Sequence, residues 1–484
     1  MGSWELEWEG VVMGVKQGWF RRPRFSLWAM LVLVTVVAIP LAYVAQRRSW
    51  NLRRAAVIEK FTAKGASFKY GGLASFMTKP SPPLTWWQKL CGDLPAVNCV
   101  KIIEKRLGTP AEKISDEDLR ELAMLSEIET VRLGAASNVT DEGLRALAAL
   151  PHLKQFLTEQ MPQVEGSFLE AWAKTNQIEN LSFSSMPKLK GIHLKPLGTL
   201  THLKFFSIYR CESITPAECD QVDLPANLIH LQIGQTLVGD ENLRRWLEQT
   251  QIESLSLDVG CSRAIAPGLT NQTQLKTLHI RNSPLIDEDL FFLEQCRDLE
   301  VLHLSGLPVH GSFLKKIGRN SKLMALALDW TPLTEENAAE LRRFSKLSSL
   351  ELSWTPITGE FLAAKSWPKL NHLALEGVQF GEQGKSNLAS LSIPGAIAYP
   401  INWTWLDFRR YQSVKPPMRV TLNENTAKDA DTGLLPPNTR FVTPGFMNDA
   451  IERCRQDLMA PVIRLREFAR MQNEKANEPV KGKE

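Results

Sequence analysis

Between Ile128 and Leu370 one short phrase, apolar-x-x-apolar-x-apolar, starts eleven times, with Thr158 in the last place of the second copy: at Ile128, Leu153, Ile178, Leu203, Leu228, Ile252, Leu275, Leu299, Leu323, Leu347 and Leu370. Successive starts are 25, 25, 25, 25, 24, 23, 24, 24, 24 and 23 residues apart. So narrow a period constrains the architecture more than any single segment does. A unit this short cannot bury an apolar face alone, so neighbours must stack and share one continuous core. Length by itself would argue for roughly three domains, a prior that fails for chains built of short repeats.

Each unit reads as a strand, a turn and a helix. Leu275-Lys-Thr-Leu-His-Ile280, Leu299-Glu-Val-Leu-His-Leu304 and Leu347-Ser-Ser-Leu-Glu-Leu352 alternate with period two, which puts their apolar side chains on one face of a short strand. Ten to twelve residues after each start comes a further apolar residue, such as Val139, Ile214, Leu333 or Ile357, often followed by a residue able to cap a helix. Helical spacing then takes over, as in Leu144, Leu147 and Leu150 or Leu290 and Leu293. The expected fold is an α/β solenoid with a curved parallel sheet inside and short helices outside. A degenerate unit at Val97, Val100 and Ile102 should start it, and Ile393, Ala396 and Ala398 should end it.

These phrases resemble the leucine-rich repeat family, most closely the α/β horseshoe of ribonuclease-inhibitor-like proteins, over roughly residues 97–398. One position departs from it. The family often has Asn at the ninth place, where this chain has Cys211, Thr236, Ser283, Thr331 and Thr355. Their side chains can still bond the turn backbone, so the departure concerns repeat subtype. Arg21 to Leu27, with its Phe-Ser-Leu entry to an apolar run, then Arg47 to Arg54 and Ala55-Ala-Val-Ile-Glu-Lys60, are similar to a group of bacterial single-pass leucine-rich repeat proteins. That resemblance implies an anchor and repeats, with no defined activity or partner.

The run from Phe25 to Ala45 holds 21 residues without a charge. As a helix it would be about 31 Å long, close to the hydrocarbon thickness of a bilayer. Arg21, Arg22 and Arg24 precede it, Arg47, Arg48, Arg53 and Arg54 follow, and Trp28 and Tyr43 mark its ends. Pro40 would kink it, which membrane helices tolerate. A cleaved signal peptide is the competing reading. The run exceeds an ordinary signal core, though, and arginines stand where small cleavage-site residues belong. Met13 opens a more ordinary basic leader than Met1 does. The expectation is a retained anchor with the repeats on the extracytoplasmic side.

The organisation is then a leader (1–24), a transmembrane helix (25–45), a juxtamembrane helix with Pro-rich linker and N-terminal cap (46–96), the repeats (97–398), and a C-terminal cap with tail (399–484). Trp86, Trp87 and Leu90 are expected to cover the first repeat, and Trp403, Trp405 and Phe408 the last. An amphipathic helix is expected within 448–476, interrupted at Pro461. Seven cysteines form no disulfide framework. Cys91 and Cys99 are near enough in sequence to pair in an oxidising compartment, whereas Cys211, Cys261 and Cys296 fit buried thiols.

A net charge of +4 on 484 residues makes no electrostatic case for nucleic acid. The recurrent nucleotide, nucleophile-elbow, zinc-protease and Cys-x-x-Cys motifs are missing, so neither catalysis nor a cofactor is expected. Binding is the expected role, and the register locates it. Third, fifth and seventh strand positions point away from the core, onto the concave face. Equivalent positions in adjacent units lie about 4.8 Å apart. The fifth position sets His279 beside His303 with Glu351 two strands on, and the seventh brings Arg281 and Asp329. The eighth sets Trp330 beside Trp354. Aromatic anchors amid mixed charge are what binding hot spots favour. The plain alternative is that the tryptophans pack over the turn at the sheet edge. Two histidines without a third ligand fit hydrogen-bonded surface residues better than a metal site. The expected partner is a protein or peptide. A cell-envelope scaffold without a discrete ligand is the rival role, and oligomeric state is open.

Overall fold

The computed structural model describes residues 27–69, 83–95, 97–103, 114–175, 177–258, 261–318, 321–362, 367–375, 377–390, 396–398, 421–422 and 440–441. They fall into two compact units, Met1–Ala56 with Pro82–Pro95, and Val57–Ser81 with Ala96–Glu484. The expected leader, the C-terminal aromatic cap and the helix within 448–476 lie outside the described residues.

The second unit is built on one 14-stranded sheet in sequence order. Its strands are β1 (Ser67–Lys69), β2 (Cys99–Ile103), β3 (Thr130–Gly134), β4 (Gln155–Glu159), β5 (Asn180–Ser184), β6 (Phe205–Tyr209) and β7 (His230–Gly234). There follow β8 (Ser254–Asp258), β9 (Thr277–Arg281), β10 (Val301–Ser305), β11 (Ala325–Ala327), β12 (Ser349–Glu351), β13 (His372–Ala374) and β14 (Ala396–Ala398). From β2 onward every pairing is parallel, and each residue pairs with its counterpart one repeat later, as Leu278 does with Leu302 and Leu302 with Leu326. The repeat phrase and the sheet register are thus the same fact. The first, fourth and sixth positions (Leu275, Leu278 and Ile280, for example) are fully buried, and the row continues through all units. Each such side chain contributes about 1.5–3 kcal/mol on leaving water.

Return segments on the other side of the sheet mix short α and 3-10 helices. The hydroxyls expected as caps are in place: Thr140, Thr215 and Thr334 each begin a helix and accept a backbone N–H from its first turn. A second capping system crosses between repeats. An acid in the first turn of one unit accepts N–H groups from the entry loop of the next. Asp141 serves Glu165, Gly166 and Phe168, and Asp287 serves His310 and Phe313. Glu335 does the same for Thr358, Gly359 and Phe361. Buried tryptophans tie the same neighbours together, the indole N–H of Trp172, Trp246 and Trp367 donating to Leu144, Val222 and Leu341 carbonyls of the preceding units.

Two departures from the expected organisation occur ahead of the repeats. Helix α1 (Leu27–Ala63) continues past the apolar run, and its end belongs to the solenoid rather than to a juxtamembrane segment. Val57 and Phe61 enter the core, and Lys60 and Lys64 both reach the buried carboxylate of Asp118 at 3.0 and 2.9 Å. The chain then forms β1, which runs antiparallel to β2 and precedes the first parallel strand. A short helix, α2 (Trp86–Leu90), forms at the place of the expected cap helix, with Trp86 74% exposed. Cys91 and Cys99 are separate buried free thiols, as are the other described cysteines. Taken over the residues whose side chains are described, no helix is long and apolar enough to cross a membrane. The run expected to span begins at Phe25, and several of its side chains lie outside that description.

Asp287→Ala removes an acceptor serving one buried and one part-buried N–H group and should cost about 1–3 kcal/mol, the penalty of an unsatisfied buried donor. Urea unfolding of the full chain followed by circular dichroism should show an earlier transition, with Asp287→Asn in between. Coincident curves for wild type and Asp287→Ala would mean the inter-repeat cap carries no stability.

Candidate binding face

Along β9 to β12 the side chains pointing away from the helices include most of those singled out from sequence. His279 and His303 are registered neighbours, their rings 4.3 Å apart and tilted by 44°. Burial, then the proximity of His303 and Arg281, pushes His279 down to about 4. Burial and Arg281 likewise lower His303. The pair is therefore neutral at pH 7, an aromatic surface rather than a charged one. Among the described residues no cluster of three or more His, Cys, Asp or Glu side chains is placed to hold a metal.

Ala327 separates His303 from Glu351 in the same row, as the register required. Glu351 lies 3.7 Å from His372. Arg281 is exposed and faces Asp258 across one strand spacing. Burial raises the Asp258 carboxyl against the pull of Arg281 and Arg210. Asp329 has a structural duty, accepting the Ser353 N–H at 2.7 Å, so it shapes the turn more than it offers a free charge.

The tryptophans occupy a special backbone position. The eighth residue of the repeat leaves its strand in the left-handed region at Ala135, Gln160, Ser185, Arg210, Gln235, Asn282, Trp330 and Trp354, with φ between 49° and 59°. Gly306 and Gly377 fill the same place. Such a φ is unusual for residues with a Cβ, and costs about 1–2 kcal/mol. It is repaid locally, because the N–H at that point donates to the seventh-position carbonyl of the next repeat: Gln160 to Ser184, Asn282 to Ser305 and Trp330 to Ser353, each at 2.9 Å. The turn also throws the eighth side chain onto the sheet face. Trp330 and Trp354 stack there with centroids 5.0 Å apart and planes within 15°. Trp354 lies across Gly377, where any Cβ would fall 2.3 Å from the indole. Trp330, at the open end, is 38% exposed. Trp354 therefore covers a turn, as the plain alternative held for both indoles, while Trp330 stacks on it and faces solvent. The ninth residue turns inward: Cys211, Thr236, Ser283, Thr331 and Thr355 are all buried, with Thr331 and Thr355 hydroxyls donating to the Leu328 and Leu352 carbonyls.

A second group on this face was not singled out beforehand. Phe205 and His230 are adjacent, with centroids 6.2 Å apart. Tyr209 leans over Gly234, accepts from Gln235 at 2.7 Å and carries the Arg210 guanidinium 5.4 Å from its ring centre. The signal is in the sequence, since Phe205 and His230 stand at the third position of their units and Tyr209 at the seventh.

No family model and no curated protein matches the sequence. Among solved structures, an internalin (inlF) from Listeria monocytogenes str. 4b F2365 aligns at 17% identity and a TM-score of 0.44, covering 63% of this chain and 87% of the internalin. A TLR13–ssRNA13 complex aligns at 16% identity and a TM-score of 0.39, over 62% of this chain and 46% of that one. Likeness at this level carries no argument about function. The solenoid assignment stands on the repeats and the sheet themselves.

A histidine held neutral by the fold opposes protonation, so its contribution is complete above the ordinary pKa of 6.5 and is lost as pH falls toward about 4. The full chain should lose thermal stability over that interval, and His279→Gln should lose less of it. Equal pH dependence in both proteins would exclude the histidine pair as its source.

Proposed function

We propose that this chain is a membrane-anchored leucine-rich repeat protein that binds a protein or peptide through the outward sheet face around β9 to β12. The observation that carries the reading is the Trp330–Trp354 stack, a rigid aromatic platform presented to solvent by a backbone conformation that disfavours bulky residues. Rigid, amphipathic rings beside neutral polar groups make large contacts at small entropic cost, which is why interfaces enrich them. The neutral histidine pair, Arg281, Asp329 and Glu351 border the platform. No reaction is proposed for the chain.

Support for the anchor comes from α1. Its helical portion from Leu27 to Ala45 would be about 28 Å long. Leu31, Val32, Val34, Val36, Val37, Ile39 and Leu41 are all exposed, and at helical spacing they cover every side. A helix apolar all round needs either a protein core or lipid. The repeats are assigned to the extracytoplasmic side.

Two experiments test these assignments. Full-length chain in mild detergent, used as bait against native membranes and extracellular fractions, should retain a partner that Trp330→Ala/Trp354→Ala retains at least tenfold less, with unchanged circular dichroism. Equal recovery would move the site off this platform and favour a scaffold. Protease added to intact cells should digest the repeats if they lie outside, and digestion only after lysis would reverse the orientation.

A further inference from the structure

The first unit spends an unusual set of buried polar contacts on displaying tryptophan. Its hub is Asp93. Arg47 of α1 donates to both carboxylate oxygens at 2.9 and 2.8 Å, and Asn51, one turn on, donates to Asp93 at 2.7 Å and to the Cys91 carbonyl at 3.1 Å. Arg54, a further turn along, donates to the Pro95 carbonyl at 3.0 Å. Asn51, Arg54 and Cys91 are buried. Residues 47, 51 and 54 share one helical face, so the segment through Pro95 is clamped along two turns of α1. Thr85 and Gln88 close a capping box at the start of α2. The posture of α2 is thus specified at both ends.

What this clamp holds outward is apolar. Trp86 is largely exposed and Trp87 is also exposed, the two rings meeting edge to face at 5.4 Å. Trp50 and Leu52 on α1 are exposed as well, at 42% and 72%. The clamp thus fixes a segment whose indoles stay in water, an exposure that burial of apolar surface does not account for. Depth along α1 supplies a reason. Trp50 comes five residues after Ala45, about 7 Å beyond the end of the uncharged run. The headgroup layer is roughly 5–7 Å thick on each side of the hydrocarbon. Arg47, which Asp93 binds, stands two residues past Ala45, about 3 Å along the helix, so the segment that follows α2 meets α1 within that layer. Indole rings favour this zone, and exposed cations such as Arg53 and Lys89 suit its phosphates.

We propose that Trp86 and Trp87 are lipid-contacting residues: α2 is an interfacial foot, clamped to α1 by Asp93, whose indoles insert among phospholipid headgroups beside the emerging anchor. This rests on the anchor reading above. It adds a second, peripheral membrane contact to the single span.

Full-length chain in phospholipid nanodiscs provides the test. Lipids brominated either near the headgroup end of the acyl chain or near its terminus quench tryptophan emission according to depth. Subtracting the emission of Trp86→Phe/Trp87→Phe from that of wild type isolates the two indoles among the chain's 14. The isolated signal should fall at least twofold with shallow bromines and change little with deep ones. Asp93→Ala, which releases the clamp, should reduce that quenching. If the chain stays in discs while the isolated signal is unquenched at either depth, the foot is wrong and the anchor stands. A protein partner on the indoles would give that same result. If alkaline carbonate extracts the chain and it fails to enter discs, the anchor reading falls and the foot falls with it.

Discussion

Every repeat depends on its neighbours for hydrogen bonds that it cannot make internally. A strand of three to five residues flanked by a turn and a short helix has no partner within its own unit, so all its backbone groups are satisfied by the units on either side. The remaining regularities follow from closing that ladder at a fixed rise. Side chains of equivalent residues must stack, which makes leucine rows continuous. The strand must leave the sheet in the same way each time, which forces the eighth residue into a left-handed turn whose N–H reaches the next unit. The helix-side carboxylates repeat the principle, each capping the loop of its successor. Stability is therefore shared between adjacent units, as expected for quasi-one-dimensional proteins.

That same regularity decided what was legible beforehand. Strand starts, buried rows and the pairing of His279 with His303 and Trp330 with Trp354 follow from a period counted in residues, because the sheet keeps residue-for-residue register. Features that break the period were not legible. Antiparallel β1 and the entry of Phe61 into the core involve residues outside the repeat, where no pattern indicates a partner. The exposure of Trp86 was not legible from its apolar composition, nor was the Arg47–Asp93 clamp that ties the segment after it to α1. The neutrality of the histidines depends on burial and on Arg281, which spacing alone does not measure. Phe205 and His230 at the third position and Tyr209 at the seventh obey the same register and were as legible as the histidine pair.

Charge is sorted across the solenoid in a way that bears on recognition. At the strand entrances, opposite charges alternate from repeat to repeat: Lys154, Glu179 and Lys204 are spaced at 3.6 Å, and Glu253 meets Lys276 at 2.8 Å. The outward face of β5 to β8 carries Asn180, Ser182, Ser184, Ser207, Gln232, Ser254 and Ser256, with Asp258 the one acid at its third, fifth and seventh positions. Side chains of this kind confer little long-range steering, so discrimination has to come from shape and from hydrogen-bond complementarity at close range. Aromatic rings give such a surface its relief, Phe205 and Tyr209 on β6 within that stretch and the tryptophan stack beyond it, in the turns after β11 and β12.

The antiparallel strand β1 has a consequence for how an array like this can lengthen. Parallel strands offer evenly spaced, slanted hydrogen bonds, whereas an antiparallel edge offers alternating close and wide pairs. A copied repeat inserted between β2 and β14 meets the same geometry on both sides and extends the ladder without a defect. One placed outside β1 would have as its neighbour a three-residue strand running the opposite way, so the residue-for-residue parallel register would not continue there. Tandem duplication thus carries the parallel register forward within the series, and the antiparallel first strand marks where that register begins.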